Sequence, residues 1–377
     1  MKIAIAGDFL PANRVAQLAE EGHYDKVLAE VRNFNQHFDL SIVNLECPVV
    51  AEGATPIEKN GPCMRCGESG VSLIRYGGFD GVTLSNNHFY DYGEEGVRST
   101  LQALDRQGIK HVGGGRDITE ASETLYTQIQ GETLAVINCS EHEFSTASDH
   151  KGGSNPLDPV TQYYAIAEAR TKADYVVVIV HGGIEYYNKP TLRMKQTYRF
   201  FLDAGADAVI NHHQHCVSGY EVYKGKPIFY GLGNFCFDLP ICRDCYWNKG
   251  YMVGLTFGKE GVGFDIHPYI QSNHTPDVTF PSGKDREDII GEVIAINTLI
   301  DDDKALSDAH EEFMQSTRIA YKTLLTPYSG HYALALCEKG FLPAYYPRKK
   351  YITLLNKIEC ESHRERLIYF IKEKLSK

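Results

Sequence analysis

An α/β fold, a largely parallel sheet with helices on its faces, is predicted for this chain by three observations. Short apolar runs of β type alternate with amphipathic helical stretches from the first residue to about residue 271. Five of those runs end directly in carboxylate, amide or imidazole side chains. Two of the helical stretches stop at a glycine, the residue that most easily takes the left-handed turn closing a helix.

The runs 2–6, 40–43, 82–84, 134–137, 176–180, 208–210 and 228–230 are apolar enough to be buried on both faces, as strands of a covered parallel sheet are. The stretch 93–107 places Val97, Leu101 and Leu104 at helical spacing and stops at Gly108, and 192–204 stops at Gly205. The later runs 251–257 and 263–269 alternate without a helix between them, which predicts antiparallel strands. Near residue 282 the character changes. Helix formers dominate 287–300, 305–324 and 361–376, with a break rich in Pro and Tyr over 325–346. The expected organisation is a domain over 1–280 and a helical C-terminal region over 281–377 packed on it.

With 377 residues, 43% of them apolar and 23% charged, the composition is that of a soluble globular protein, and no stretch is long enough to cross a bilayer. A net charge of −11 argues against a nucleic-acid surface, because releasing counterions from phosphates takes a basic stripe. Residues 1–7 carry neither a basic leader nor an apolar segment of secretory length, so the expectation is a cytoplasmic protein. Composition leaves the oligomeric state open. Ten cysteines in such a chain do not make a disulfide scaffold, but Cys63 with Cys66 and Cys242 with Cys245 have the spacing of structural zinc sites. One shared zinc on all four is one reading; cysteines in solvent-facing loops are the other.

The polar residues at the strand ends carry the functional information. They are Gly7-Asp8, Asn44-Leu45-Glu46, Asn86-Asn87-His88, His181-Gly182-Gly183 and Asn211-His212-His213-Gln214-His215. In α/β sheets ligands bind beyond the carboxyl ends of the strands, so the five clusters can meet on one rim. Singly, Asp8 could be a turn cap, Glu46 a surface carboxylate and His181 a satisfied core histidine. Together they would need five unrelated explanations, whereas one metal centre accounts for all. Carboxylates, an amide oxygen and imidazoles suit Mn²⁺, Fe²⁺, Zn²⁺ or Co²⁺ better than Ca²⁺. Two such ions about 3.5 to 4 Å apart can activate water and clamp an anionic oxygen. His88, next to the ligand-type Asn87, is placed to protonate a leaving group.

These motifs, with Asp91-Tyr92-Gly93, the run from His181 to Tyr186 and the run from Tyr230 to Phe235, resemble the poly-gamma-glutamate capsule biosynthesis (CapA/PgsA) family over roughly residues 1–240. That family is similar to the calcineurin-like metallophosphatases. The resemblance implies a metallophosphatase-like layered α-β-β-α sandwich with a C-terminal helical elaboration. It also implies metal ligands at Asp8, Glu46, Asn87, His181, His213 and His215, with His88 catalytic. Glu46, Asn87, His181 and His213 would serve a tighter position; Asp8, Glu46 and His215 would serve a looser one. Four positions depart from the usual pattern: Leu10 stands for a histidine, Glu46 for an aspartate, Gly182 for a tryptophan and Gln214 for a proline. Relatives of this kind often look membrane-anchored at the N-terminus, and no such helix is present in this sequence.

Asp91 and Glu185 are close in sequence to His88 and His181 and are candidates to orient those imidazoles. Asn44, Asn86 and Asn234 are further supporting or substrate-binding candidates. The loop cations Lys59, Arg65, Arg193 and Lys249 could meet an anionic substrate or simply be solvated. Gly113-Gly114-Gly115 lacks the following Lys-Ser/Thr of a nucleotide loop and reads as a tight turn. The leading expectation is a metal-dependent hydrolase acting on a phosphoester or an acidic γ-glutamyl substrate, small molecule or polymer. One alternative is metal-independent acid–base chemistry of the epimerase kind using Asp8, Glu46, His88 and His181. The other is a non-catalytic accessory subunit of a capsule-assembly complex.

Overall fold

The computed structural model describes residues 1–323, 331–343, 347–359 and 361–375. Its strands are β1 Lys2–Leu10, β2 Leu40–Leu45, β3 Gly81–Thr83, β4 Lys110–Val112, β5 Gly114–Gly115, β6 Leu125–Ile129, β7 Glu132–Ser140 and β8 Gly153–Ser154. They continue with β9 Tyr175–His181, β10 Ala208–His212, β11 Tyr220–Tyr223, β12 Lys226–Phe229, β13 Asn234–Phe237, β14 Lys249–Gly258, β15 Gly261–Gln271 and β16 Val278–Thr279. The helices are α1 Asn13–Glu20, α2 Asp25–Asn35, α3 Glu68–Tyr76, α4 Gly93–Gln107, α5 Ile118–Ala121 and α6 Pro159–Lys172. After them come α7 Leu192–Ala204, α8 Gly283–Ile300, α9 Asp303–Thr323, α10 His331–Glu338, α11 Arg348–Glu359 and α12 Glu361–Leu375.

Two sheets dominate, in the orders β16-β15-β14-β1-β2-β3-β4, with β13 also paired to β1, and β11-β12-β10-β9-β7-β6. Strands β1 to β4 are mutually parallel, as are β7, β9, β10 and β12. The expected antiparallel pair is β14 with β15. Alternation along each strand explains the layering. On β1, Ile3 and Ile5 face the second sheet and join Ile42, Val136, Val177, Ile179 and Ile210 in a central core. Ala4 and Ala6 face outward and meet Val15, Val27, Leu73 and Leu104 from α1 to α4. On the far side, Val176, Val178 and Val180 of β9 pack with Ile166 of α6 and with Met194, Tyr198 and Phe201 of α7. The result is the layered α-β-β-α sandwich expected. The predicted glycine stops are present, with φ 66° at Gly108 and 126° at Gly205.

The chain divides into two compact units, Met1–Ser307 and Asp308–Lys377. In the first, α8 lies against β11 and β15. The second is helical, with α11 against α12. Of the break expected over 325–346, residues 325–330 and 344–346 lie outside the described residues, as do 324 and 376 at the ends of two expected helical stretches; between the two gaps the chain forms α10. Among the described residues no helix is long and apolar enough to cross a membrane.

One buried amide joins the two sheets beside the strand ends. Asn138 of β7 accepts from Leu84 N at 3.1 Å and Ser85 N at 2.7 Å, just past β3, and donates to Ile179 O of β9 at 2.9 Å. Asn138→Ala leaves the buried Ser85 N without its acceptor, whereas Leu84 N keeps Val112 O at 2.9 Å, and one stranded buried group costs about 1 to 3 kcal/mol. The expected loss of unfolding free energy in denaturant titration is about 1 to 3 kcal/mol; a loss below about 0.5 kcal/mol would show that the amide does not join the sheets.

Candidate metal centre

The predicted rim exists, at the carboxyl ends of parallel strands drawn from both sheets. Asp8 lies opposite Asn44 of β2 on one side and Asn234 of β13 on the other, after a register shift in β1. Gly7 permits this, because a Cβ there would lie 1.9 Å from Gly233 O. The second sheet supplies His181 from the end of β9 and His213 and His215 from just past β10. Backbone contacts lock the halves together: His212 Nε2 donates to Ala6 O at 3.0 Å and His213 N to Asp8 Oδ2 at 3.1 Å.

Glu46 is at the centre, fully buried, and neither of its carboxylate oxygens has a hydrogen-bond partner. His181 Nε2 lies 3.5 Å and His215 Nε2 3.6 Å from Glu46 Oε1. His181 Nε2 is also 3.0 Å from His213 Nδ1 and 3.0 Å from Asn87 Oδ1. The tautomer of His215 can be assigned. Asn234 donates through Nδ2 to His215 O at 3.3 Å, so its Oδ1, 2.8 Å from His215 Nδ1, accepts the Nδ1 proton. The Nε2 lone pair then faces Glu46 Oε1, which in the ionised carboxylate has no proton to give. Two acceptors facing each other without a donor are what a cation between them would satisfy.

Ligand atoms of three groups lie within 4.8 Å of one another: Glu46, His181 and His213; Asp8, Glu46 and His215; and Glu185, His213 and His215. Glu46 is common to the first two, the arrangement of a bridging carboxylate. Burial pushes Asp8 up to about 7 and Glu46 well above the usual carboxylate range. Burial likewise lowers His213 to about 3, His215 to about 4 and His181 well below the ordinary imidazole value. The imidazoles are therefore neutral, the form in which they bind metals. The backbone is strained here as well, with φ 93° at His213, 53° at His215 and 63° at Tyr186, none of them glycine.

The supporting residues are resolved in detail. Asn44 Nδ2 donates to Asp8 Oδ1 at 2.8 Å, and Asn86 Nδ2 to Leu45 O at 2.8 Å. His88 Nδ1 is 2.6 Å from Asp91 Oδ2, so Asp91 holds the ring through Nδ1. Asn87 and His88, adjacent in sequence, thus serve different partners. Lys59, a solvated-cation candidate from sequence, is instead ion-paired to Asp91 and lies 3.2 Å from His88 Nδ1.

Several expectations need correction. Glu185 does not pair with His181: the chain turns at Gly183, φ 105°, and Tyr186 N bonds to Gln214 O at 2.9 Å, placing Glu185 beside His213 and His215. The four cysteines do not converge. Cys63 Sγ donates to Ile57 O at 3.5 Å, Cys66 contacts Cys47 and Cys242 contacts Cys245, and among the described residues no three of these sulfurs form a metal-sized group. Arg65 is exposed and donates to Ala51 O at 3.4 Å, Arg193 pairs with Glu141, and Lys249 with Glu292. The departures at 182 and 214 have physical reasons. Glu141 fills the space beside Gly182, where a Cβ would lie 2.8 Å from Glu141 Cγ. Gln214 Nε2 donates to Tyr187 O and Lys189 O, which a proline could not do.

Sequence reasoning missed an aromatic wall on one side of His215. The Trp247 ring centroid is 5.3 Å from that of His215, Tyr186 is 6.1 Å from it, and Tyr246 stands 6.4 Å from Tyr186. Its one sequence signal is that Trp247 is the only tryptophan.

Comparison with known proteins agrees with the motif reading. The family model described as bacterial capsule synthesis protein PGA_cap matches residues 2–239. The PGA biosynthesis protein CapA of Bacillus subtilis (strain 168) is 30% identical over 280 residues, covering 73% of this chain and 73% of that protein. The capsule biosynthesis protein CapA of Bacillus anthracis is 29% identical over 246 residues, covering 63% and 60% respectively. Among solved structures, a hypothetical protein from Thermus thermophilus aligns with a TM-score of 0.45 at 18% identity, over 72% of this chain and 98% of that one. A 5'-nucleotidase precursor from the same organism aligns with a TM-score of 0.45 at 11% identity, over 80% and 59%.

The unpartnered Glu46 generates a direct test. Addition of Mn²⁺, Zn²⁺ or Co²⁺ is expected to raise the melting temperature of the chelator-treated protein, because a ligand that binds only the folded state stabilises it. Glu46→Gln keeps the shape, removes the charge, and is expected to abolish most of that rise. An equal rise in both proteins would remove Glu46 from the ligand set.

Proposed function

The chain belongs to the bacterial capsule synthesis protein family, and from that premise we propose that it is a metal-dependent hydrolase acting on an acidic substrate, at a phosphoester or a γ-glutamyl amide. The observation that carries the proposal is the buried carboxylate of Glu46, without a hydrogen-bond partner and shared between two groups of candidate ligands. Glu46, Asn87, His181 and His213 would hold one divalent cation, and Asp8, Glu46 and His215 a second, with Mn, Fe or Zn as the metals that suit such donors. Bound there, the cations would supply Lewis-acid polarisation and water activation.

The chain's own residues account for the remaining chemistry. His88 Nε2 gives a proton to the departing oxygen or nitrogen, while Asp91 holds Nδ1 and so fixes the tautomer. Lys59 holds Asp91 in turn. Asn44 and Asn234 fix Asp8 and His215. Trp247 and Tyr186 shield the His215 side from water. Glu143 and Glu185, both raised by partial desolvation, add negative charge near His88. An anionic substrate can approach so many carboxylates only when cations offset them, so acidic substrate and metal dependence support each other. The names of the Bacillus relatives favour a γ-glutamyl polymer over a general phosphoester.

His88→Ala is expected to leave bound metal nearly intact while lowering turnover by about 10² to 10⁴, the usual scale for a positioned general acid. His213→Ala is expected to lose metal and turnover together, read by elemental analysis and by assays on a chromogenic phosphodiester and a short γ-glutamyl peptide. Cleavage of the peptide alone supports the polymer reading. Metal lost from His88→Ala, or full metal and turnover in His213→Ala, would overturn the assignment of roles.

A further inference from the structure

The Cys242-x-x-Cys245 pair is on the turn that carries the aromatic wall. Between β13 and β14 the chain reverses through residues 239–248. Cys242 N bonds to Leu239 O at 2.9 Å, and Arg243 Nη1 donates to Leu239 O at 2.7 Å and Cys242 O at 2.6 Å. The other guanidinium nitrogen reaches the buried Asp238, 3.2 Å away. A single buried amide clamps both cysteines. Asn248 accepts from Cys245 N at 3.4 Å and from Cys245 Sγ at 3.6 Å through Oδ1, and donates to Cys242 O at 3.2 Å through Nδ2. The two thiols lie close enough to interact, so that burial and Cys245 together raise the Cys242 thiol, and both are partly exposed, so a reagent can reach them. Among the described residues no third metal-type ligand joins them.

We propose that Cys242 and Cys245 are a redox-modification site, a dithiol that closes to an intramolecular disulfide and reports its state to His215 through Trp247. The oxidant class is a hydroperoxide. One thiolate attacks the peroxide oxygen and becomes a sulfenic acid, releasing the alcohol or water. The second thiolate attacks that sulfur and releases water, so two thiols and one hydroperoxide give a disulfide, an alcohol or water, and one water. Closure takes the Cys245 sulfur away from Asn248, and Cys245 with Asn248 forms the cap of the short 3₁₀ turn Tyr246–Asn248. Trp247 is in that turn, with Nε1 bonded to Phe237 O at 2.9 Å and its ring against His215. A second contacting pair, Cys47 with Cys66, is buried and serves as an internal contrast.

The test treats the folded full-length protein with hydrogen peroxide and follows intact mass, thiol titre after denaturation, peptide mapping and tryptophan emission, which reports Trp247 alone. The expected result is loss of two of the ten thiols, a mass lower by about 2 Da, a peptide linking 242 to 245, and a shifted emission. Dithiothreitol is expected to reverse all four changes, and Cys242→Ser to prevent the disulfide. If the pair stays fully alkylatable, or oxidises to separate sulfinic acids about 32 Da heavier each, the dithiol site is wrong. If the disulfide forms with unchanged emission, its link to His215 is wrong.

Discussion

A carboxylate with no donor, enclosed by neutral imidazoles, sets the terms for the rest of this fold. Burying an ionised group without compensation costs several kcal/mol even after relaxation, so Glu46 either holds a proton or faces a cation. Its neighbours are arranged for the second. Asn234 fixes His215 with Nε2 inward, and Asn44 ties Asp8 to β2. Asn138 and His212 pin the two sheets so that candidate ligands from both edges meet. The strained dihedrals at His213, His215 and Tyr186 belong to the same arrangement: each turns a side chain at a strand end where ordinary geometry would carry it past the cluster.

The electrostatics follow from the same constraint. Asp8 and Glu46 are both raised, chiefly by burial, and the three imidazoles are lowered, so cluster residues of both kinds favour their uncharged forms. Cation binding reverses the preference of the carboxylates and uses the imidazoles as they stand. The His88 side is built differently. His88 faces Asp91, which Lys59 and Met64 N also bind, so that pair is held by ordinary donors and needs no metal to be ordered.

Much of this was legible in sequence because it is local. An apolar run followed at once by Asp8, Glu46, Asn87, His181 or His213 marks a strand and its carboxyl end together, and parallel topology brings such ends to one edge. Contacts across long loops were not legible. Lys59 precedes His88 by 29 residues in a segment of ordinary polar composition, and nothing in its neighbours distinguishes a buried ion pair from a solvated cation. Glu185 was misplaced because one glycine turn redirected the chain. The paired cysteines misled for a similar reason: spacing fixes how two sulfurs sit within a pair, but not whether two distant pairs meet. The helical character of the second unit was plain from its composition, whereas α10 inside an expected break was not.

The most direct test of the central claim is a crystal structure of the protein grown with Mn²⁺, with anomalous difference maps collected near the manganese edge. The account predicts a peak at about 2.0 to 2.3 Å from Glu46 and from nitrogens of His181 and His213, and a second, weaker one near Asp8, Glu46 and His215. A map without a peak at Glu46, with its carboxylate hydrogen-bonded instead to water or a side chain, would contradict it.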